Sequence, residues 1–147
     1  MEGGGRLLGL DAGQRRIGVA VSDPLGLLAT PQGIIQAGAD EGLDEVCAWA
    51  RRLEVVAVVV GLPLTMGGDE GEEARRVQAW AERLRERLPI PVVLWDERLS
   101  TAAAERAMLE GGLRRDKRKL HRDAVAAALI LQSYLDAHHT RQSNPLR

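Results

Sequence analysis

Cysteine is nearly absent from this chain: Cys47 stands alone among 147 residues, so no internal disulfide can form. Set in the pattern Leu43, Val46, Cys47, Ala50, it reads as a core residue. Phenylalanine is missing altogether, and Trp49, Trp80, Trp95 and Tyr134 sit mostly at helical or strand core positions. That leaves few platforms for stacking unpaired bases and argues against sequence-specific base readout. The three histidines, His121, His138 and His139, have no cysteine or histidine partner at zinc-site spacing. Neither sign of charge prevails. With 20 Lys and Arg against 21 Asp and Glu the net charge is −1, which excludes a uniformly basic coat and leaves a local patch to meet any polyanion. The longest apolar run, Val55 to Val60, is far shorter than the roughly 20 residues of a membrane helix. Met1 to Gly5 has no basic-then-apolar signal pattern, so a cytoplasmic protein with no membrane partner is expected.

What is present suffices for one core. An apolar fraction of 45% fits a single domain, expected over residues 1–138 with a polar tail over 139–147. Leu7 to Leu10 and Ile17 to Val21 read as strands joined by a glycine-bearing turn. Gln32 to Gln36 reads as a third, after a turn at Asp23-Pro24-Leu25-Gly26. The helical spacing of Leu43, Val46, Cys47, Ala50 and Leu53 leads into Val55 to Val60, which suits a strand covered on both faces. Ala74, Val77, Trp80, Ala81, Leu84 and Leu88 predict a helix over Asp69 to Leu88, with Asp69 and Glu72 as a capping box. Pro91 to Trp95 is a fifth strand and Thr101 to Glu110 a helix broken at Gly111-Gly112. A last helix is expected from Asp123 to near Ala137. Three antiparallel strands followed by strand-helix-strand crossovers predict an α/β fold: a five-stranded mixed sheet with helices on both faces, the ribonuclease H-like architecture.

Asp11 ends the first strand, Asp96-Glu97 the fifth, and Asp123 begins the last helix, so three separated elements each present a carboxylate near an end. The edge where parallel strands end is where ligands and catalytic groups collect. Carboxylates converging there would repel one another, and a hard divalent cation relieves the repulsion. Magnesium or manganese, as one or two ions, suits in-line phosphodiester hydrolysis. Side chains alternate along a strand, so Glu97 shares a face with Trp95 while Asp96 points the other way. Each acid also has a structural alternative: Asp11 as a turn cap, Glu97 paired with Arg98 or Arg122, Asp123 as a charge at a helix N-terminus.

Together these residues carry a family resemblance. Gly9-Leu10-Asp11-Ala12-Gly13 with Arg16 to Asp23, then Val59-Val60-Gly61-Leu62-Pro63-Leu64, Asp96-Glu97-Arg98-Leu99-Ser100-Thr101 and Asp123-Ala124 with Ala126-Ala127 and Ile130-Leu131, closely resemble the YqgF/RuvX family. The motifs run from Leu8 to about Leu135 in the family's order. The resemblance implies a ribonuclease H-like fold related to Holliday-junction resolvases and a nuclease that matures the 5′ end of the small-subunit ribosomal RNA precursor. It assigns catalysis and metal binding to Asp11, Glu97 and Asp123. One departure from the wider resolvase pattern is Ala126, which stands one turn after Asp123 where junction resolvases place a further acid.

Arg114-Arg115-Asp116-Lys117-Arg118-Lys119 is the one dense cationic segment and lies just before Asp123. As a loop it would hold a phosphate backbone beside the metal; its alternative is a solvated connector. Arg15, Arg16 and Arg98 are further candidates for phosphate contact. Gly67-Gly68 is not read as a phosphate loop, because Asp69, Glu70, Glu72 and Glu73 crowd the same helix start and would repel an anion. Ser100 or Thr101 is expected to cap the helix that follows. The expected partner is nucleic acid, either an RNA precursor or branched DNA. Junction resolution requires two active sites and hence a homodimer, whereas a monomer suffices otherwise. Two rivals remain: a kinase-like ATPase, for whose second domain the length leaves no room, and a nucleic-acid-binding module of this fold without chemistry.

Overall fold

The computed structural model describes residues 4–100 and 115–142, with the backbone alone described for 115–121 and 139–142. Strand β1, Leu7–Ala12, pairs antiparallel with β2, Arg16–Ser22, placing Asp11 opposite Gly18. The turn between them closes where the Gly13 N–H donates to the carbonyls of Asp11 at 3.1 Å and Arg16 at 3.0 Å. Strand β3, Ala29–Gln36, starts earlier than the sequence pattern suggests and pairs antiparallel with β2. Pro31 lies within it, which an edge strand tolerates because one row of N–H groups bonds nothing in the sheet. At the β2–β3 turn Asp23 accepts from the N–H groups of Leu27 and Leu28, at 2.7 and 2.9 Å, and these backbone bonds lower its pKa.

Helix α1, Leu43–Leu53, leads to β4, Ala57–Leu62, which lies parallel to β1; helix α2, Glu72–Arg87, leads to β5, Val92–Asp96, parallel to β4. The sheet order is β3-β2-β1-β4-β5. A 3-10 turn, Glu97–Leu99, follows β5, and helix α3 spans Arg115–Gln142. The mixed five-stranded sheet is therefore as the sequence predicts. The expected helix Thr101 to Glu110 and the break at Gly111-Gly112 lie outside the described residues.

Period-two alternation gives each strand two working faces. Leu8, Leu10, Ile17, Val19, Val58 and Val60 meet Val46, Cys47, Val77, Trp80 and Leu84 of α1 and α2 in one core. Ala20 and Val59 meet Ala126, Ala127, Ile130 and Leu131 of α3 in the other. Asp11, one residue past Leu10, consequently falls on the α3 side. Helix α3 comes unusually near the sheet. A Cβ on Gly18 would stand 1.9 Å from the Asp123 carbonyl oxygen, and one on Gly9 would stand 2.7 Å from the Leu131 Cβ. Only glycine at position 18 permits that approach, since the obstacle is backbone and no rotamer change relieves it. Gly18→Ala is expected to destabilise the fold by about 3 kcal/mol, read as a lower urea midpoint. An unchanged midpoint would mean that α3 seats farther from β2.

Two expectations are corrected. Asp123 does not open its helix; α3 begins at Arg115, so the segment Arg115 to Lys119 is helical and not a loop, and the helix continues to Gln142. Arginine and lysine are good helix formers, so the charged residues before Asp123 extend the helix that the apolar spacing beginning at Ala124 marks. The capping box at Asp69 and Glu72 is also absent. The residue before α2 is Gly71, with no side-chain cap, while Asp69 instead closes a turn with Thr65: its N–H donates to Thr65 Oγ1 at 3.0 Å, and its carbonyl accepts from the Thr65 N–H at 3.0 Å.

Candidate active site

At the edge where β1 and β4 end, a cleft of about 190 Å³ is lined by Asp11, Arg16, Glu73, Glu97 and Asp123, with Gly13, Gly61 and Pro63 among its other walls. Three different elements supply the acids foreseen from the sequence. Asp11 comes from the last turn of β1's alternation, Asp123 from α3 where the helix rests on Gly18, and Glu97 from the first position after β5. All three are half-buried. The strand beside β5 ends without an acid, and the parallel register Gly61 opposite Trp95 and Leu62 opposite Asp96 brings Glu97 to the same edge from one strand farther out.

Asp96 does separate work. Its Oδ1 accepts from the Arg98 N–H at 2.9 Å and from Arg98 Nε at 3.1 Å, and its Oδ2 from the other guanidinium nitrogen at 2.8 Å. The Arg98 side chain, ahead of the backbone bond, holds this carboxyl below its usual range. A second guanidinium contact, 3.3 Å to the Met66 carbonyl, ties the β5 end to the loop after β4. Arg98, expected to meet phosphate, is thus engaged in bracing that rim. Ser100 closes the 3-10 turn by donating from Oγ to the Glu97 carbonyl at 2.8 Å; a capping role toward the residues after it lies outside the described residues.

Arg16 lies in the cleft, its Nε 3.2 Å from Asp123 Oδ2. That pair in the helix interior replaces the alternative of Asp123 as a helix-end charge. Arg15 is exposed on the turn after Asp11. Arg114 lies outside the described residues. Arg115, Lys117, Arg118 and Lys119 are placed by backbone alone, on the turns of α3 that precede Asp123. Among the described residues no three Asp, Glu, His or Cys side chains stand near enough to one another to hold an ion. The donor chemistry, carboxylate oxygens from three rigid elements, is that of a hard divalent cation; the side chains line the cleft without closing on a common point.

Glu73 was not foreseen as a cleft residue. Its carboxylate accepts from Arg76 Nε at 2.8 Å and from a second Arg76 nitrogen at 2.9 Å, and also from the Gln14 amide at 3.2 Å. Arg76 in turn donates to the Ala12 carbonyl at 2.6 Å, next to Asp11. The Arg76 contact keeps Glu73 ionised to lower pH, and Glu73 raises the pKa of Arg76. Helix α2 therefore clamps the turn that carries Asp11. The Glu73–Arg76 spacing of three is the only signal in the sequence, and it reads equally as a surface helix pair.

A family model described as RuvX, Holliday junction resolvase, matches residues 5–137. A protein of Roseiflexus sp. (strain RS-1) named "Putative pre-16S rRNA nuclease" is 46% identical over 134 residues, covering 90% of this chain and 95% of that protein. One of the same name from Clostridium novyi (strain NT) is 47% identical over 135 residues, covering 90% of this chain and 98% of that one. Among solved structures, Thermus thermophilus RuvC in complex with a Holliday junction substrate superposes with a TM-score of 0.58 at 16% identity, over 92% of this chain and 96% of that chain. At that identity the likeness speaks for the fold alone.

Proposed function

The chain belongs to the RuvX family, and on that premise we propose that it is a metal-dependent nuclease that hydrolyses phosphodiester bonds in maturing the 5′ end of the pre-16S ribosomal RNA. The observation that carries this is the convergence of Asp11, Glu97 and Asp123 on one cleft from β1, the β5 end and α3. These three residues would hold Mg2+ or Mn2+ through oxygen. Bound there, such a cation supplies Lewis-acid chemistry, lowering the pKa of a water and offsetting charge on the leaving oxygen. The chain's own residues do the rest. Glu73 and Arg76 fix the Asp11 turn, Gly18 admits α3 so that Asp123 lines the same cleft, and Arg16 stands ready for a phosphate oxygen. Arg15 and the basic turns at the start of α3 hold the flanking backbone. The unit that does this is a single domain whose last helix runs to Gln142. No described helix is long and apolar enough to cross a membrane.

A second reading, resolution of branched DNA, is favoured by the description of the matching family. Matched substrates separate the two. With Mg2+ or Mn2+, the purified protein is expected to cut a 5′-extended 16S precursor fragment near its mature end and to leave a four-way DNA junction of similar length at background. Junction cleavage with intact RNA would select the resolvase reading, and loss of neither substrate would remove both.

A further inference from the structure

Among the described residues that line the cleft, Arg16 is the one guanidinium beside the acids. Arg16 Nε lies 3.2 Å from Asp123 Oδ2, with the two side chains 33% and 24% exposed, so water screens the pair only in part. Both backbones are fixed. Arg16 opens β2, its carbonyl accepting from the Gly13 N–H and its Cα standing opposite Gln36 in β3, while the Asp123 carbonyl rests on Gly18. Only the side-chain torsions of the pair, chiefly the long Arg16 side chain, can change without unseating an element. Arg76, the neighbouring guanidinium, is committed to Glu73 and the Ala12 carbonyl, and Arg98 to Asp96 and the Met66 carbonyl.

A carboxylate oxygen beside a guanidinium lies in its positive field, and a divalent cation brought to that oxygen would meet a like charge a few ångströms away. The two therefore compete for Asp123 Oδ2. This fits the observation that Asp11, Glu97 and Asp123 line one cleft yet form no ion-sized cluster among the described residues. We propose that Arg16 is an exchangeable counter-ion of Asp123, displaced when a divalent cation takes the carboxylate, and that its released guanidinium then captures a substrate phosphate in the same cleft. The proposal deepens the nuclease reading and rests on it. Exchange couples the two loadings: metal arrival frees the phosphate clamp, and phosphate binding keeps the clamp off the metal's ligand. Arginine suits the role because its planar fork matches carboxylate and phosphate alike.

Titration calorimetry with Mn2+ and no nucleic acid, beside fluorescence anisotropy of a labelled single-stranded RNA, tests the exchange. Arg16→Gln is expected to bind Mn2+ about five- to tenfold more tightly than wild type and the RNA about tenfold more weakly; Arg16→Lys should recover part of the RNA affinity. Opposite signs on two ligands are what a merely structural arginine would not produce. Equal or weaker Mn2+ affinity in Arg16→Gln, or unchanged RNA affinity, overturns the exchange. In wild type, the Arg16 Nε–H resonance should move on adding Mg2+ and stand already moved in Asp123→Asn; a resonance indifferent to Mg2+ overturns it without relying on any Arg16 variant. If wild type takes up no Mn2+, the exchange and the metal-dependent nuclease reading fall together, whereas uptake that Arg16→Gln merely matches removes the exchange alone.

Discussion

Asp11→Asn is expected to lower single-turnover cleavage by about a thousandfold while leaving the melting temperature within about 2 °C of wild type. The substitution keeps shape and volume and removes charge. Asp11 is half-buried at the end of β1, and Leu10 before it and Ala12 after it anchor the strand in the core under α1 and α2. The backbone of the turn is held by Gly13 and by Arg76, neither of which bonds through the Asp11 carboxylate in these contacts. Asparagine keeps the side-chain volume and leaves these backbone bonds and buried neighbours in place, so the melting temperature should change little. A hard cation, by contrast, takes anionic oxygen far better than an amide carbonyl, so Mn2+ affinity should fall with activity. Turnover within a factor of ten of wild type would take Asp11 out of the mechanism; lost turnover with a collapsed melting temperature would make it a structural residue.

The side Asp11 faces is legible in the sequence, because Leu8 and Leu10 alternate with Gly9 and Asp11 and period two admits one solution. For Glu97 the alternation stops short, because β5 ends at Asp96 and Glu97 opens the 3-10 turn, though Arg98 takes Asp96 in the paired contacts. The beginning of α3 is not legible. Arg115 to Lys119 has the charge density of a solvated segment, and helices carry solvated segments as readily as loops do. Glu73 escapes for a different reason. From the sequence it is one of four acids near a helix start, and only the crossover that lays α2 beside the β1–β2 turn brings it to Gln14 and Ala12. Local pattern fixes the face of a side chain; long-range topology decides which faces meet.

Replacing Arg115, Lys117, Arg118 and Lys119 together by glutamine is expected to weaken RNA binding about a hundredfold or more at low salt and to flatten its salt dependence. These four positions lie on the turns of α3 that precede Asp123, so cations there would follow a strand whose phosphate sits in the cleft. Each phosphate contact on a single strand contributes about 0.7 to the slope of log affinity against log salt, and four lost contacts would reduce it by up to about 3. Glutamine is close to arginine and lysine in helix propensity, so the backbone of α3 and the seat of Asp123 on Gly18 should survive. Mn2+ affinity should consequently remain within a factor of two or so, since the carboxylates are untouched. Had the segment been a loop ordered only by nucleic acid, its neutralisation would also remove an ordering cost; as part of a helix, the loss is electrostatic and should vanish as salt is raised. An affinity deficit that persists at high salt would instead indicate that the substitutions disturb α3, and an unaltered slope would shift the backbone grip to Arg15 and Arg16.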